Sequence, residues 1–146
     1  MITAVQTDRL DLMQSWSDAD KTQAGRFTLP ISVQNGAAGS SAIYFEVEPG
    51  QHCGMHTHSA EEIALLLGGE AEVVIGGEKV RAYSGGLVLI PTMVSHDVFN
   101  VGDKVVKVVG FFASAAVLTN FEKPLQPLGT ATFVLGAPEP QPAERG

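Results

Sequence analysis

Three of the four histidines in this chain fall into one spaced pattern with a glutamate, and a fold that uses them together must bring them to one place. His56 and His58 are separated by one residue, so both side chains point to the same face of a strand. Glu62 has the same parity, and a paired strand can bring His96 opposite these residues. The pattern therefore predicts short paired strands on which three imidazoles and one carboxylate converge.

This donor set predicts a site for one divalent transition metal ion per subunit, with His56, His58, Glu62 and His96 as ligands. Imidazole suits iron, nickel, copper and zinc, and the hard carboxylate also admits manganese. Four protein ligands on an ion that prefers six leave two positions for water, oxygen or substrate. The metal remains open among Fe, Mn, Ni, Cu and Zn.

Most of the chain has the pattern of an all-β domain, because Gly, Asn and Pro separate short runs rich in Val, Ile, Leu and Phe. In one such run Ile43, Phe45 and Val47 alternate with Glu46, which predicts a strand with one face buried. The pairs Gly68-Gly69 and Gly76-Gly77 are expected to form tight hairpin turns. Strands are predicted at residues 27–33, 42–48, 55–58, 62–67, 70–75, 79–83, 87–90, 96–100, 104–112 and 131–135.

The two ends of the chain differ from this central part. Residues 1–26 are predicted to form an arm or a short helix, in which Trp16 packs against the barrel or a second subunit. Residues 27–136 are predicted to form one barrel, since no repeat longer than a hairpin is visible. The Pro-rich residues 137–146 have little to bury and are expected to be a disordered tail.

Composition excludes several classes of partner. The net charge of −7 argues against nucleic acid or anionic membranes as partners, and no apolar run is long enough to span a bilayer. One cysteine allows no internal disulfide, and the N-terminus lacks the features of a signal peptide. Both observations favour a cytoplasmic protein.

The histidines belong to two longer motifs that resemble those of the cupin superfamily. Its members are small antiparallel β-barrels with a metal in the mouth of the barrel. The resemblance spans about residues 42–112, and Met93 stands where the family usually has glycine. It implies a single jelly-roll barrel and a structural role for Asn100, which bonds a turn near the site. The motifs are Gly50-(five residues)-His56-Thr57-His58-(three residues)-Glu62-(six residues)-Gly69 and Gly85-(five residues)-Pro91-(four residues)-His96-(three residues)-Asn100.

Apolar residues near the motifs are candidates for a substrate pocket. Few Lys or Arg residues lie near the motifs, and this scarcity favours a small, mainly apolar or aromatic substrate over a phosphorylated one. His52 shares strand parity with His56, so it is a candidate acid or base at the rim; a solvent-exposed loop histidine is the alternative. The predicted pocket residues are Tyr44, Phe45, Leu66, Met93 and Val98.

Two functions fit these features. The first is a mononuclear metal-dependent enzyme, most similar to the quercetinase-type dioxygenases among cupins, in which Glu62 is the candidate general base. The same site also suits a non-oxidative cyclase, isomerase or lyase. The second is a non-catalytic module that binds a small molecule. A homodimer is expected in either case, because the arm with Trp16 and the strand at 27–33 add apolar surface beyond what one small barrel needs.

Overall fold

The chain folds into two antiparallel β-sheets of six strands each. The computed structural model describes residues 2–136, and within them the only helical segments are two single 3₁₀ turns, at Thr7–Arg9 and Val33–Asn35. The prediction of an all-β, antiparallel fold is confirmed. None of the helical segments in this part of the chain has the length and apolar character needed to cross a membrane.

The two sheets are built from strands that are distant in sequence. The first sheet has the order β1-β2-β3-β10-β5-β8, and the second has the order β12-β11-β4-β9-β6-β7. The strands are β1 (Met13–Trp16), β2 (Ala24–Ile31), β3 (Ser41–Val47), β4 (His56–His58), β5 (Glu62–Gly68), β6 (Glu70–Ile75), β7 (Glu78–Tyr83), β8 (Leu87–Ile90), β9 (His96–Asn100), β10 (Val106–Phe112), β11 (Val117–Leu125) and β12 (Thr130–Leu135).

The ten predicted strands are all present, with ends that move by up to three residues. Two further strands were not predicted: β1, which lies inside the expected arm, and β11, which carries the polar residues Thr119, Asn120, Glu122 and Lys123. Strand β1 pairs with β2 and lengthens the first sheet. The predicted tail at 137–146 lies outside the described residues.

One of the two glycine pairs makes a different connection from the one expected. Gly76 and Gly77 do form the hairpin between β6 and β7. Gly68 and Gly69 instead join β5 to β6, which belong to different sheets, so the expected hairpin there is wrong. A Cβ on Gly69 would lie 2.6 Å from the carbonyl oxygen of Val105, so the chain can pass this close only at a glycine.

The core lies between the sheets in two clusters. The larger one contains Val47, Leu66 and Val98, and the smaller one centres on Phe112, Val117 and Leu135. These side chains come from both sheets, as expected for inward-facing positions of alternating strands. Members of both clusters line the same interior cavity as the histidines of the sequence pattern.

Candidate metal centre

Three imidazole rings meet on the inner face of the second sheet. His56 and His58 lie on β4, and His96 lies on β9, directly opposite His56 in the antiparallel pair. One ring nitrogen from each residue lies within 4.8 Å of the others. All three residues are at most 9% exposed. Strand parity and pairing therefore produce the convergence that the spacing predicts.

Each ring is oriented by a contact at its Nδ1 atom. Two of these partners are backbone carbonyl oxygens, which can only accept, so those Nδ1 atoms carry the proton and Nε2 offers a lone pair. The third partner is a threonine hydroxyl that itself donates to the carbonyl oxygen of Val117. The contacts are His56 Nδ1 to Gly54 O at 2.7 Å, His96 Nδ1 to Val94 O at 3.0 Å, and His58 Nδ1 to Thr119 Oγ1 at 2.9 Å.

The carboxylate of Glu62 reaches the imidazoles from the opposite sheet. Its Oε1 atom lies 3.6 Å from Nε2 of His58 and 3.7 Å from Nε2 of His96. The sequence pattern predicted that the four donors converge, but it did not show that β4 and β5 belong to different sheets. The donors consequently face one another across the interior.

Gly110 provides the space for this carboxylate. It lies on β10 beside β5, and a Cβ at this position would overlap Oε2 of Glu62. The same Cβ would lie 2.9 Å from Cγ2 of Ile43. Any larger residue at position 110 would therefore displace the carboxylate or the side chain beside it.

Burial controls the protonation of the four donors. It lowers the pKa of His58 to about 3, with a smaller contribution from His96, and it lowers the pKa of His56 and of His96 as well. It raises the pKa of Glu62 to about 7. The imidazoles are therefore neutral at neutral pH, and the carboxyl group titrates there.

The donor set fits a divalent transition metal ion. The Nε2 atom of His96 is buried and has no hydrogen-bond partner among the described residues. A buried polar atom without a partner is costly, and three neutral imidazoles with a carboxylate match the ligands that such ions prefer. His56, His58, His96 and Glu62 would hold the ion.

A cavity of about 90 Å³ contacts all four donors. Two aromatic rings also pack on the imidazoles: Phe121 stacks on His56 at a centroid distance of 4.5 Å, and Phe112 meets His58 edge-on at 4.8 Å. The wall is otherwise mainly apolar. It includes the predicted pocket residues Phe45, Leu66 and Val98, together with Phe27, Ile43, Phe133 and Leu135, which were not among the predicted pocket residues.

Three predicted site residues lie elsewhere. The hydroxyl of Tyr44 bonds the carboxylate of Glu46, so this side chain is on the strand face opposite Phe45 and outside the cavity. Met93 is 54% exposed in the turn before β9 and does not line the cavity. His52 is neither at the cavity nor in an exposed loop: its side chain is 12% exposed and contacts Asp97 and Asp20.

Sequence reasoning missed Thr119 and Phe121, which contact His58 and His56. Both lie on β11, which pairs with β4, and both have the parity of the buried Val117. This alternation was the available signal. The strand was obscured by Pro124 and by the polar residues Asn120, Glu122 and Lys123.

The comparisons with known proteins agree with this geometry. A family model described as "Cupin domain" matches residues 43–112, which include both motifs and all four donors. The matched part of this chain belongs to the cupin superfamily. No curated protein sequence matches it significantly.

Solved structures show the same fold. An oxalate decarboxylase from Lactobacillus farciminis, crystallised with formate, is similar over 67% of this cupin at 22% identity, with a TM-score of 0.64, and only 31% of its own length is covered. A protein assigned as a sugar phosphate isomerase from Acidithiobacillus ferrooxidans has a TM-score of 0.64 at 14% identity, with 99% of this chain and 96% of that chain covered. The polyketide cyclase RemF from Streptomyces resistomycificus has a TM-score of 0.62 at 17% identity, with 77% and 79% covered.

The metal affinity of this cupin is expected to fall as the pH decreases below about 7, because Glu62 must lose its proton before it can coordinate an ion. The imidazoles are already neutral, so one proton is released and the affinity for Co²⁺ should drop about tenfold per pH unit between about pH 7 and pH 5. Titration of the metal-free protein with Co²⁺ at several pH values measures this slope. In Glu62→Gln most of the slope should disappear, and equal slopes in both proteins would contradict this assignment.

Replacing Gly110 with Ala is expected to weaken metal binding, because the new methyl group displaces the carboxylate of Glu62. A loss of about 10- to 100-fold in Co²⁺ affinity is expected, as for other changes that disturb a ligand's orientation. Gly68→Ala is the matched control, since a Cβ there meets nothing closer than 3.8 Å. Unchanged affinity in Gly110→Ala would show that the carboxylate is not a ligand.

Proposed function

We propose that this cupin is a mononuclear metal-dependent enzyme that acts, in the manner of a dioxygenase, on a small, mainly apolar or aromatic substrate with an oxygen donor. The observation that supports this most directly is the position of four convergent donors, buried at the wall of an apolar cavity. A site with only structural purpose is usually closed, whereas this one adjoins space for a ligand.

The cavity wall favours a substrate that carries no negative charge on the part that would lie away from the metal. Its one arginine, Arg26, is paired with Glu46 at 2.6 Å and with Glu48 at 2.9 Å, so its charge is already neutralised. Phosphorylated or polyanionic substrates are normally held by an arginine free to bind them. Apolar rings such as Phe27, Phe121 and Phe133 would instead pack against the hydrocarbon part of a substrate and exclude water.

The bound ion would supply Lewis-acid stabilisation of negative charge on a substrate oxygen. The protein's own contribution to the chemistry centres on Glu62. Its pKa of about 7 suits a group that accepts and returns a proton near neutral pH, and it faces both the cavity and the imidazoles. His58 and His96 hold Nδ1 protons against Thr119 and Val94, so they have none to give at the cavity side.

We expect the purified protein to contain about one metal ion per chain and to consume oxygen with a member of a panel of flavonols, catechols and 1,3-diketones. Glu62→Gln should lower turnover by about 10²- to 10⁴-fold, the usual contribution of a general base. Glu61→Gln is the matched control, because Glu61 is next to Glu62 in sequence but its carboxylate is exposed. Oxygen uptake and product analysis measure both effects.

The outcomes of this assay separate the proposed functions. Product formation without oxygen consumption would replace the dioxygenase proposal with a non-oxidative cyclase, isomerase or lyase. Thermal stabilisation by a panel compound without any turnover would indicate a binding protein. A metal-free double variant, His56→Ala with His58→Ala, should be inactive in the assay, and activity in that variant would contradict the site.

We also propose that this cupin forms a homodimer, through a different surface from the arm expected from the sequence. The backbone of Trp16 bonds Gln126 at 3.0 and 2.7 Å, and β2 is paired on both sides within its own chain. Among the described residues, the outer face of β10, β5 and β8 carries exposed apolar side chains, and its rows are aligned across the three strands. This face carries Phe111, Ile63 and Leu89 in one row and Val109, Leu65 and Leu87 in the next.

A second copy of the chain is the occupant that suits this face. The rows contain no charged side chain, so two copies can meet there without like-charge repulsion, whereas the net charge of −7 disfavours an anionic lipid surface. Strand β8 is also an edge strand, and its apolar sequence carries no charge or proline that would discourage pairing. A two-fold axis would place identical apolar rows against each other.

Light scattering at micromolar concentration is expected to give the mass of two chains. Replacing both Leu87 and Leu89 with Glu should shift the mass to one chain, because charges would be buried in the contact. Val80→Glu changes another exposed apolar residue, on β7 in the other sheet, and should leave the dimer intact. A wild-type protein with the mass of one chain would rule the dimer out.

A further inference from the structure

Both backbone polar groups of Gly54 are hydrogen-bonded, and one of their partners is the metal-ligand candidate His56. Its carbonyl oxygen accepts the Nδ1 proton of His56 at 2.7 Å, and its N–H donates to Oδ1 of Asp97 at 2.9 Å. Gly54 has φ +107°, and a Cβ there would overlap the amide of the buried Gln23. The backbone conformation of Gly54, which joins these two hydrogen-bonded groups, therefore sets the orientation of the His56 ring.

Asp97 is itself fixed by a second set of contacts. Its side chain points away from the cavity, is buried, and also accepts the N–H of Val98 at 2.7 Å. Its Oδ2 atom contacts Nδ1 of His52 at 2.8 Å. The His52 ring is stacked on Phe99 with a centroid distance of 4.6 Å. Asp97 can hold Gly54 in place because two other neighbours, Val98 and His52, fix its carboxylate.

The support continues to the segment before β2. Nε2 of His52 lies 3.0 Å from Oδ2 of Asp20, whose other carboxylate oxygen accepts the N–H and hydroxyl of Thr22 at 2.9 and 2.7 Å. The backbone agrees with this path, since the N–H of His52 donates to the carbonyl oxygen of Thr22 at 3.0 Å. The contacts run from Asp20 through His52, Asp97 and Gly54 to His56.

Asn100 provides a comparison on the same strand. It is buried like Asp97, and its side chain also binds backbone groups, at Val47, Gly102 and Lys104 over 2.7 to 3.0 Å. None of these groups contacts a metal-ligand candidate. Two buried polar side chains of β9 thus secure loops in the same way, but only Asp97 is connected to the site.

We propose that Asp97 is a positioning residue for His56 and acts through the backbone of Gly54, and that His52 is the residue that supports Asp97. The hydrogen bond to Gly54 keeps the carbonyl oxygen on the Nδ1 side of the ring, so that Nε2 of His56 points at the site. This inference rests on the metal-binding part of the proposed function. It gives His52 a role on the outer side of the sheet instead of the role of acid or base in the cavity.

The first test needs no metal. In the metal-free protein the Nδ1 protons of His56 and His96 should give separate downfield proton NMR signals, each assigned by its loss in the corresponding His→Gln variant. Asp97→Ala should accelerate exchange of the His56 proton by about tenfold or more, because its acceptor peptide is released. The His96 signal should be unaffected. In Asn100→Ala, the matched control, the His56 Nδ1 proton should exchange as slowly as in the wild-type protein.

The second test is Co²⁺ affinity and the visible spectrum of the Co²⁺ protein. Asp97→Ala should weaken binding by about 10- to 100-fold and change the spectrum, as loss of a ligand-orienting partner does. Asp97→Asn should stay within about threefold of wild type, because its amide oxygen still accepts the Gly54 N–H. Asn100→Ala should also retain wild-type affinity although it loses stability.

The results separate failure of this inference from failure of the metal site. A wild-type protein that binds no Co²⁺ would overturn the proposed function. The exchange rate of the His56 Nδ1 proton, measured without metal, would then still test whether Asp97 positions His56. Wild-type exchange and affinity in Asp97→Ala would overturn the role of Asp97. An equal loss of Co²⁺ affinity in Asp97→Ala and Asn100→Ala would also overturn it, since the loss would then reflect general destabilisation. An equal loss of affinity in Asp97→Asn and Asp97→Ala would overturn it as well, since the loss would then reflect the removed charge.

Discussion

The structure depends on placing four titratable side chains between two apolar sheets without leaving them charged and unpaired. Burial opposes ionisation, so it lowers the pKa of the three histidines and raises that of Glu62. The Nδ1 atoms of the imidazoles all have partners, which leaves the Nε2 atoms for the interior. Without a metal, the buried Nε2 of His96 lacks a partner among the described residues, and this costs free energy of folding. A bound ion would remove that cost.

This arrangement needs both sheets and also needs small residues in the right places. The imidazoles come from β4 and β9, and the carboxylate comes from β5 in the other sheet. Gly110 allows Glu62 to lie between β5 and β10, and Gly69 allows the chain to pass from one sheet to the other. The candidate metal centre is therefore a place where side chains of the two sheets meet.

Much of the fold and the set of donors could be predicted from the sequence, because both depend on local parity. Ile43 and Phe45 face the interior as the alternation with Glu46 indicated, and His56 and His58 share a face. Which sheet a strand joins is not a local property. The spacing therefore could not show that Glu62 approaches from the opposite side.

The pocket was harder to predict for the same reason. Phe121 and Phe133 come from the last two strands, far in sequence from the motifs, and only the sheet order brings β11 beside β4. Tyr44 is buried as its apolar character suggests, but it is buried on the other face of its strand. Hydrophobicity predicted that these residues are covered, and only the tertiary fold decides what covers them.

Met93 shows how a departure from a family pattern can be explained by backbone geometry. Its φ of +63° is in the left-handed region, where glycine has no steric penalty, so the family's usual glycine suits the turn itself. The conformation is retained with methionine because the turn is held at both ends: the Met93 N–H donates to the carbonyl oxygen of His58 at 2.8 Å, and that of Val94 donates to Pro91 at 3.2 Å. The first of these bonds ties the strand of His58 to the turn that leads into His96. The residue at position 93 thus serves the site through its main chain, which leaves its exposed side chain free to differ from the family pattern.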